Sequence, residues 1–117
     1  MSSNLTINHR TEGDVCVIVP SGYLDDHGGE VLLDFIESQI NLGYKFFVID
    51  FTGTPVINSQ GIAHLLETTE IVADEIAGAI GFTGLTQLSY NVFQMIGLLQ
   101  MGTYYQTPDE AIAGVIE

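Results

Sequence analysis

Basic side chains are almost missing from this sequence: Arg10 and Lys45 stand against 15 aspartates and glutamates, and the formal net charge is −13. Nucleic acids and anionic membranes are bound chiefly by Lys and Arg set against phosphates, so neither is expected as a direct partner. Tryptophan is absent and there is a single cysteine, Cys16, which rules out a disulfide within the chain. Cys16 lies inside the apolar run Val15-Cys-Val-Ile-Val19, where it reads as a small buried hydrophobe and not as a reactive thiol. No run approaches the roughly 20 apolar residues of a membrane span. The opening Met1-Ser-Ser-Asn-Leu-Thr has neither the basic nor the apolar part of a secretion signal, and a cytoplasmic protein is the expectation. A Gly-rich phosphate loop with its Lys and a Gly-x-Ser-x-Gly elbow are both missing, which speaks against P-loop nucleotide chemistry and against a serine hydrolase.

What the chain does have is a regular alternation of apolar runs and turn signals over 117 residues. That length suits one domain with its own core, and the βαβα rhythm indicates an α/β fold. Strands are expected near Leu5–Arg10 and at Val15–Pro20, joined by a short turn that favours an antiparallel pair. A first helix follows from about Gly29 to Asn41, with Leu32, Phe35, Ile36 and Ile40 inward and Gly43 as its stop. Phe46–Phe51 is continuously apolar apart from Asp50, the mark of a central strand covered on both faces. Asp50 itself must find donors, and the amides around Thr52–Thr54 are the nearest. A second helix from Asn58 or Ser59 to about Ala77 would turn Leu65, Leu66 and Val72 inward and His64 outward. Ala79–Phe82 gives a fourth strand. A third helix from about Thr86 to Leu98 is expected to bury Leu88, Val92, Met95 and Ile96. Thr103–Gln106 is a short edge strand, and Thr107-Pro-Asp-Glu opens a last helix with cap, proline and acids in order.

The strand-to-helix corner at Asn58-Ser59-Gln60-Gly61 concentrates the chemistry. A serine there sits beside free backbone N–H groups at the positive end of a helix dipole, so it serves as a cap, a nucleophile or a phosphorylation site. Asn58 offers an alternative cap that frees Ser59. As a nucleophile Ser59 lacks support, because His64, five residues on, points elsewhere around the helix. His27, Glu30 and Asp34 share a helical spacing but read as a solvated face, so no metal and no cofactor are expected.

Three motifs in this order resemble the STAS family, the domain of bacterial anti-sigma factor antagonists. Gly22-Tyr-Leu-Asp25 is similar to that family's Gly-x-Leu-Asp strand end, Val48-Ile-Asp-Phe51 to its Val-x-Asp-Leu strand, and Asn58-Ser-Gln-Gly-Ile62 to its Asp-Ser-Ser-Gly-Leu phosphorylation motif. Asp109-Glu-Ala-Ile112 sits where members carry an acidic pair in the last helix. The resemblance runs over about residues 5 to 116. It implies a single STAS-type α/β domain: a mixed, mostly parallel sheet of four or five strands with about four helices. It implies a partner switch and not an enzyme. The unmodified protein would bind a serine kinase that doubles as an anti-sigma factor, phosphorylation of Ser59 would end that contact, and a PP2C-type, metal-dependent serine phosphatase would restore it. The partner face would comprise Leu24, Asp25, Asn58, Ser59, Gln60, Gly61, Ala63 and His64, with Gly61 letting a partner approach the backbone. Asn58 and the Gly28-Gly29 pair depart from the family pattern, the glycines loosening the start of the first helix. A constitutive scaffold using the same face is the alternative, and a small ligand-binding or hydrolytic domain a more distant one.

Overall fold

The computed structural model describes residues 5–117, so residues 1–4, where the absence of a leader is read, lie outside it. Among the described residues, seven strands and five α-helices follow one another in the order expected of an α/β chain. β1 (Thr6–Glu12) and β2 (Val15–Ser21) form the antiparallel hairpin, with Thr11 opposite Cys16 across the turn. β2 then pairs in parallel with β4 (Phe46–Asp50), β4 with β6 (Ala79–Thr83), and β6 with β7 (Thr103–Tyr104). The result is a five-stranded, mostly parallel sheet in the order β1-β2-β4-β6-β7.

Alternate side chains of the central strands feed two cores, as strand geometry requires. Cys16, Ile18, Phe47, Ile49 and Phe82 face α1 (Asp26–Asn41) and α2 (Ser59–Glu70). Val15, Val17 and Val48 face the other way, onto Ala111 and Val115 of α5 (Pro108–Val115). Burial pushes the Cys16 thiol up to about 11, because the thiolate would be desolvated. Cys16 is therefore expected to resist an aromatic disulfide reagent at pH 8 and to react fully once urea unfolds the chain; fast labelling of the folded protein would contradict this packing.

Helix boundaries and faces depart from the sequence reading in three places. α1 begins at Asp26, three residues before Gly29, because Asp25 caps it by accepting from the Gly28 N–H at 2.8 Å. α2 passes at Ile71–Glu75 into a π-helical turn instead of running on as α-helix. The third helical region is broken: α3 (Gln87–Met95) and the short α4 (Leu98–Met101) are separated by Gly97, whose φ is +82°. The inward face of α3 is also not the expected one. Leu88 and Met95 are exposed, at 74% and 82%, and Ile96 at 39%, while Phe93 is fully buried. Phe93 stands edge-on to both Phe51 and Phe82, with ring centroids 5.7 Å away in each case. Seating that aromatic ring sets the rotation of the helix and turns Leu88 and Met95 outward.

Arg10 pairs with Glu12, His64 lies against Asp26, and Lys45 lies over the Phe46 ring. Most carboxylates thus repel one another across solvent. The melting temperature is expected to rise between low and moderate sodium chloride, as screening shortens that repulsion to roughly 10 Å at 0.1 M. An unchanged or falling value would show that the charges are already compensated.

Candidate functional site

The site is built on a second, two-stranded sheet that the sequence reading did not foresee. After β2 the chain kinks at Gly22 into β3 (Tyr23–Leu24), which pairs in parallel with β5 (Val56–Ile57), placing Leu24 opposite Ile57. Two ties hold β5 there. Gly22 N–H donates to the Gly53 carbonyl at 3.0 Å, and the buried Thr54 hydroxyl donates to the Pro20 carbonyl at 2.9 Å. Asp50 anchors the intervening turn as expected, accepting from the Thr52 N–H at 3.0 Å and the Thr52 hydroxyl at 2.6 Å.

Each short strand leads directly into a helix, with the same cap chemistry at both. Asp25 caps α1 through the Gly28 N–H, and Asn58 caps α2 through the Gly61 N–H at 2.9 Å. Because β3 and β5 lie side by side, the two helix N-termini emerge together, and their dipoles present positive ends to one edge of the molecule. The Asn58 N–H donates to the Leu24 carbonyl at 3.1 Å and locks the second corner onto the first. Ser59 occupies the first helical position of α2, exposed, with Asn58 doing the capping.

The remaining expected site residues divide by burial. Gln60 and Ala63 are exposed, and Asp25, Asn58 and His64 are half-buried. Leu24 and Gly61 are buried, so they shape the corner from beneath. A Cβ on Gly61 would fall 2.1 Å from the Leu24 carbonyl oxygen, so this glycine is needed for contact inside the protein. Gly29 likewise does not loosen α1. A Cβ there would lie 2.7 Å from the His64 side chain, so the missing methyl is the seat of the imidazole ring. His64 consequently does not point freely outward: its Nε2 lies 2.8 Å from Asp26 Oδ1 and joins α2 to α1. The group that approaches His64 is Asp26 with Glu30, and not the His27, Glu30 and Asp34 set suggested by helical spacing. The signal that could have revealed the paired corner is the repeat of an Asx cap with Gly three residues later, Asp25 to Gly28 and Asn58 to Gly61.

The sequence model of the STAS domain matches residues 6–111. The chain belongs to the STAS domain family. No curated protein matches it. Among solved structures, an anti-sigma factor antagonist from Mycobacterium paratuberculosis superposes with a TM-score of 0.82 at 22% identity, over 97% of this chain and 96% of that one. The Bacillus cell fate determinant SpoIIAA in its phosphorylated form gives 0.71 at 23% identity, over 92% and 97%. A sulfate transporter family protein from Wolinella succinogenes gives 0.69 at 15% identity, over 92% and 88%. At these identities the likeness shows a shared STAS fold. The paired helix corner of this member carries Ser59 at its exposed edge.

Proposed function

We propose that this STAS protein is an anti-sigma factor antagonist-like regulator that works by partner switching. In the unmodified state it binds a serine kinase of the anti-sigma type; transfer of the ATP γ-phosphoryl group to Ser59 Oγ releases it, and a PP2C-type serine phosphatase resets it. The chain contributes a surface and an acceptor, and the catalysis belongs to its partners. One observation carries the reading: Asn58 supplies the cap, so the exposed Ser59 hydroxyl at the start of α2 is left for chemistry. Phosphorylation adds about −1.5 to −2 charges. The dipole of α2 stabilises that charge in place, while Asp25 and Asp26 at the neighbouring helix start oppose it. Modification therefore changes the potential of the corner without unfolding it. The contact surface in this reading is formed by Asp25, Asn58, Ser59, Gln60, Ala63 and His64, over the buried Leu24 and Gly61, and both partners meet it in the cytoplasm.

Intact-mass analysis and phosphopeptide mapping after incubation with candidate kinases test the proposal. A kinase that binds the protein should add one phosphoryl group, at Ser59, and none to Ser59→Ala. Phosphate at another residue overturns the assignment. Tight binding without any transfer favours the constitutive scaffold instead.

Asp25→Asn separates the cap from its charge. Asn caps as well as Asp, so α1 should persist and the melting temperature should stay within a few degrees. Kinase affinity should nevertheless fall, since the variant removes a charge from the proposed contact surface. Unchanged binding, measured by calorimetry, would remove Asp25 from that surface.

A further inference from the structure

Between Glu75 and Asp109 the chain contains no Asp, Glu, Lys, Arg or His, although its net charge is −13. This stretch holds β6, α3, α4 and β7, so α3 and its chain neighbours bring no charge of their own to the surface of an otherwise acidic protein. Among its uncharged polar residues the stretch also exposes large apolar side chains. Leu88 and Met95 of α3 are exposed at 74% and 82%. Seven residues is about two helical turns, so the two side chains lie on one face with the exposed Asn91 between them. The Asn91 carboxamide accepts from Gln87 Nε2 at 3.0 Å. Beside Leu88 runs an open groove of about 260 Å³, walled by Pro55, Val56, Ile62 and Val92.

We propose that this face binds a second copy of the same chain, α3 against α3, about a two-fold axis near Asn91. Charge selects the occupant. A basic partner is drawn to carboxylates, and this stretch offers none, whereas two copies can meet here without opposing acids. The spacing is also self-complementary. With the helices antiparallel, Met95 of each copy meets Leu88 of the other at the mouth of its groove, which is the reciprocal contact an isologous dimer requires. The remaining surface of each copy still repels, so the association is weak and strengthened by salt.

Sedimentation velocity over a concentration series, at low and at moderate sodium chloride, is the test. The dimer fraction should rise with both. Leu88→Glu and Met95→Glu should each weaken dimerisation at least tenfold while circular dichroism stays native, since both positions are exposed. Asn91→Cys should crosslink rapidly with a short bismaleimide, and Glu37→Cys on α1 should not; the buried native Cys16 does not interfere. A monomer at every concentration and salt overturns the inference and leaves the face to another occupant. So does a dimer that survives both Glu variants, or one that crosslinks equally through residue 37. None of these outcomes depends on Ser59.

Discussion

Gly61→Ala is expected to be among the most damaging single-methyl changes in the chain. The added carbon would meet the Leu24 carbonyl oxygen at 2.1 Å, the Leu24 carbonyl carbon at 2.7 Å and Leu24 Cγ at 3.0 Å. Neither side yields cheaply. Leu24 is held by β3 pairing and accepts from the Asn58 N–H, while α2 is pinned by the Asn58 cap and by Leu65 in the core. Relief requires the paired corner to open. The expected cost lies at the upper end of the about 1–3 kcal/mol typical of overpacking. Gly29→Ala is the useful comparison. Its methyl would lie 2.7 Å from both Cδ2 and Cβ of His64. The ring can swing away at the loss of its contact with Asp26, but Cβ yields only if α2 shifts, so the cost should fall below that of Gly61→Ala only because no backbone carbonyl is struck. Chemical denaturation of both variants measures the difference. A Gly61→Ala protein as stable as the parent would show that the two helix starts are not packed as described.

Substitutions at Ser59 should affect binding far more than stability. Because Asn58 is the cap, Ser59→Ala is an exposed change expected to stay within about 0.5 kcal/mol of the parent. It should bind the kinase normally and accept no phosphate. Ser59→Asp brings a carboxylate to the N-terminus of α2, worth about 0.3–1 kcal/mol of stabilisation by the dipole, offset in part by Asp25 and Asp26 close by. Kinase affinity should fall at least about tenfold, or 1.4 kcal/mol, for the Asp variant. Asn58→Ala should do the reverse, costing about 0.5–2 kcal/mol of stability while leaving the acceptor hydroxyl in place. The four proteins, compared by thermal melts and calorimetry, separate cap from switch.

Much of this architecture is legible in the residues, because its signals are local. The continuous run of β4, the caps at Thr107 and Asn58, and the donors of Asp50 all follow from nearest neighbours in sequence. The rotation of α3 is not local. Leu88, Val92, Met95 and Ile96 form an acceptable apolar stripe, but the volume waiting between Phe51 and Phe82 suits Phe93, and that volume belongs to other elements. The β3–β5 pair is invisible for a related reason. Two-residue strands carry no periodicity, and they are brought together by ties between residues distant in sequence, through Gly53, Thr54 and Asn58. Glycines mislead most. Gly28-Gly29 and Gly61 suggest looseness or access in sequence, whereas in the fold each marks a backbone or ring pressed against it.

Binding of one kinase to the unmodified protein and to the same protein phosphorylated at Ser59, titrated side by side at physiological ionic strength, tests the partner switch most directly. The account predicts a clear complex for the unmodified form and at least about tenfold weaker binding for the phosphorylated one, with matching melting curves before and after modification. Equal affinities for the two forms would contradict it.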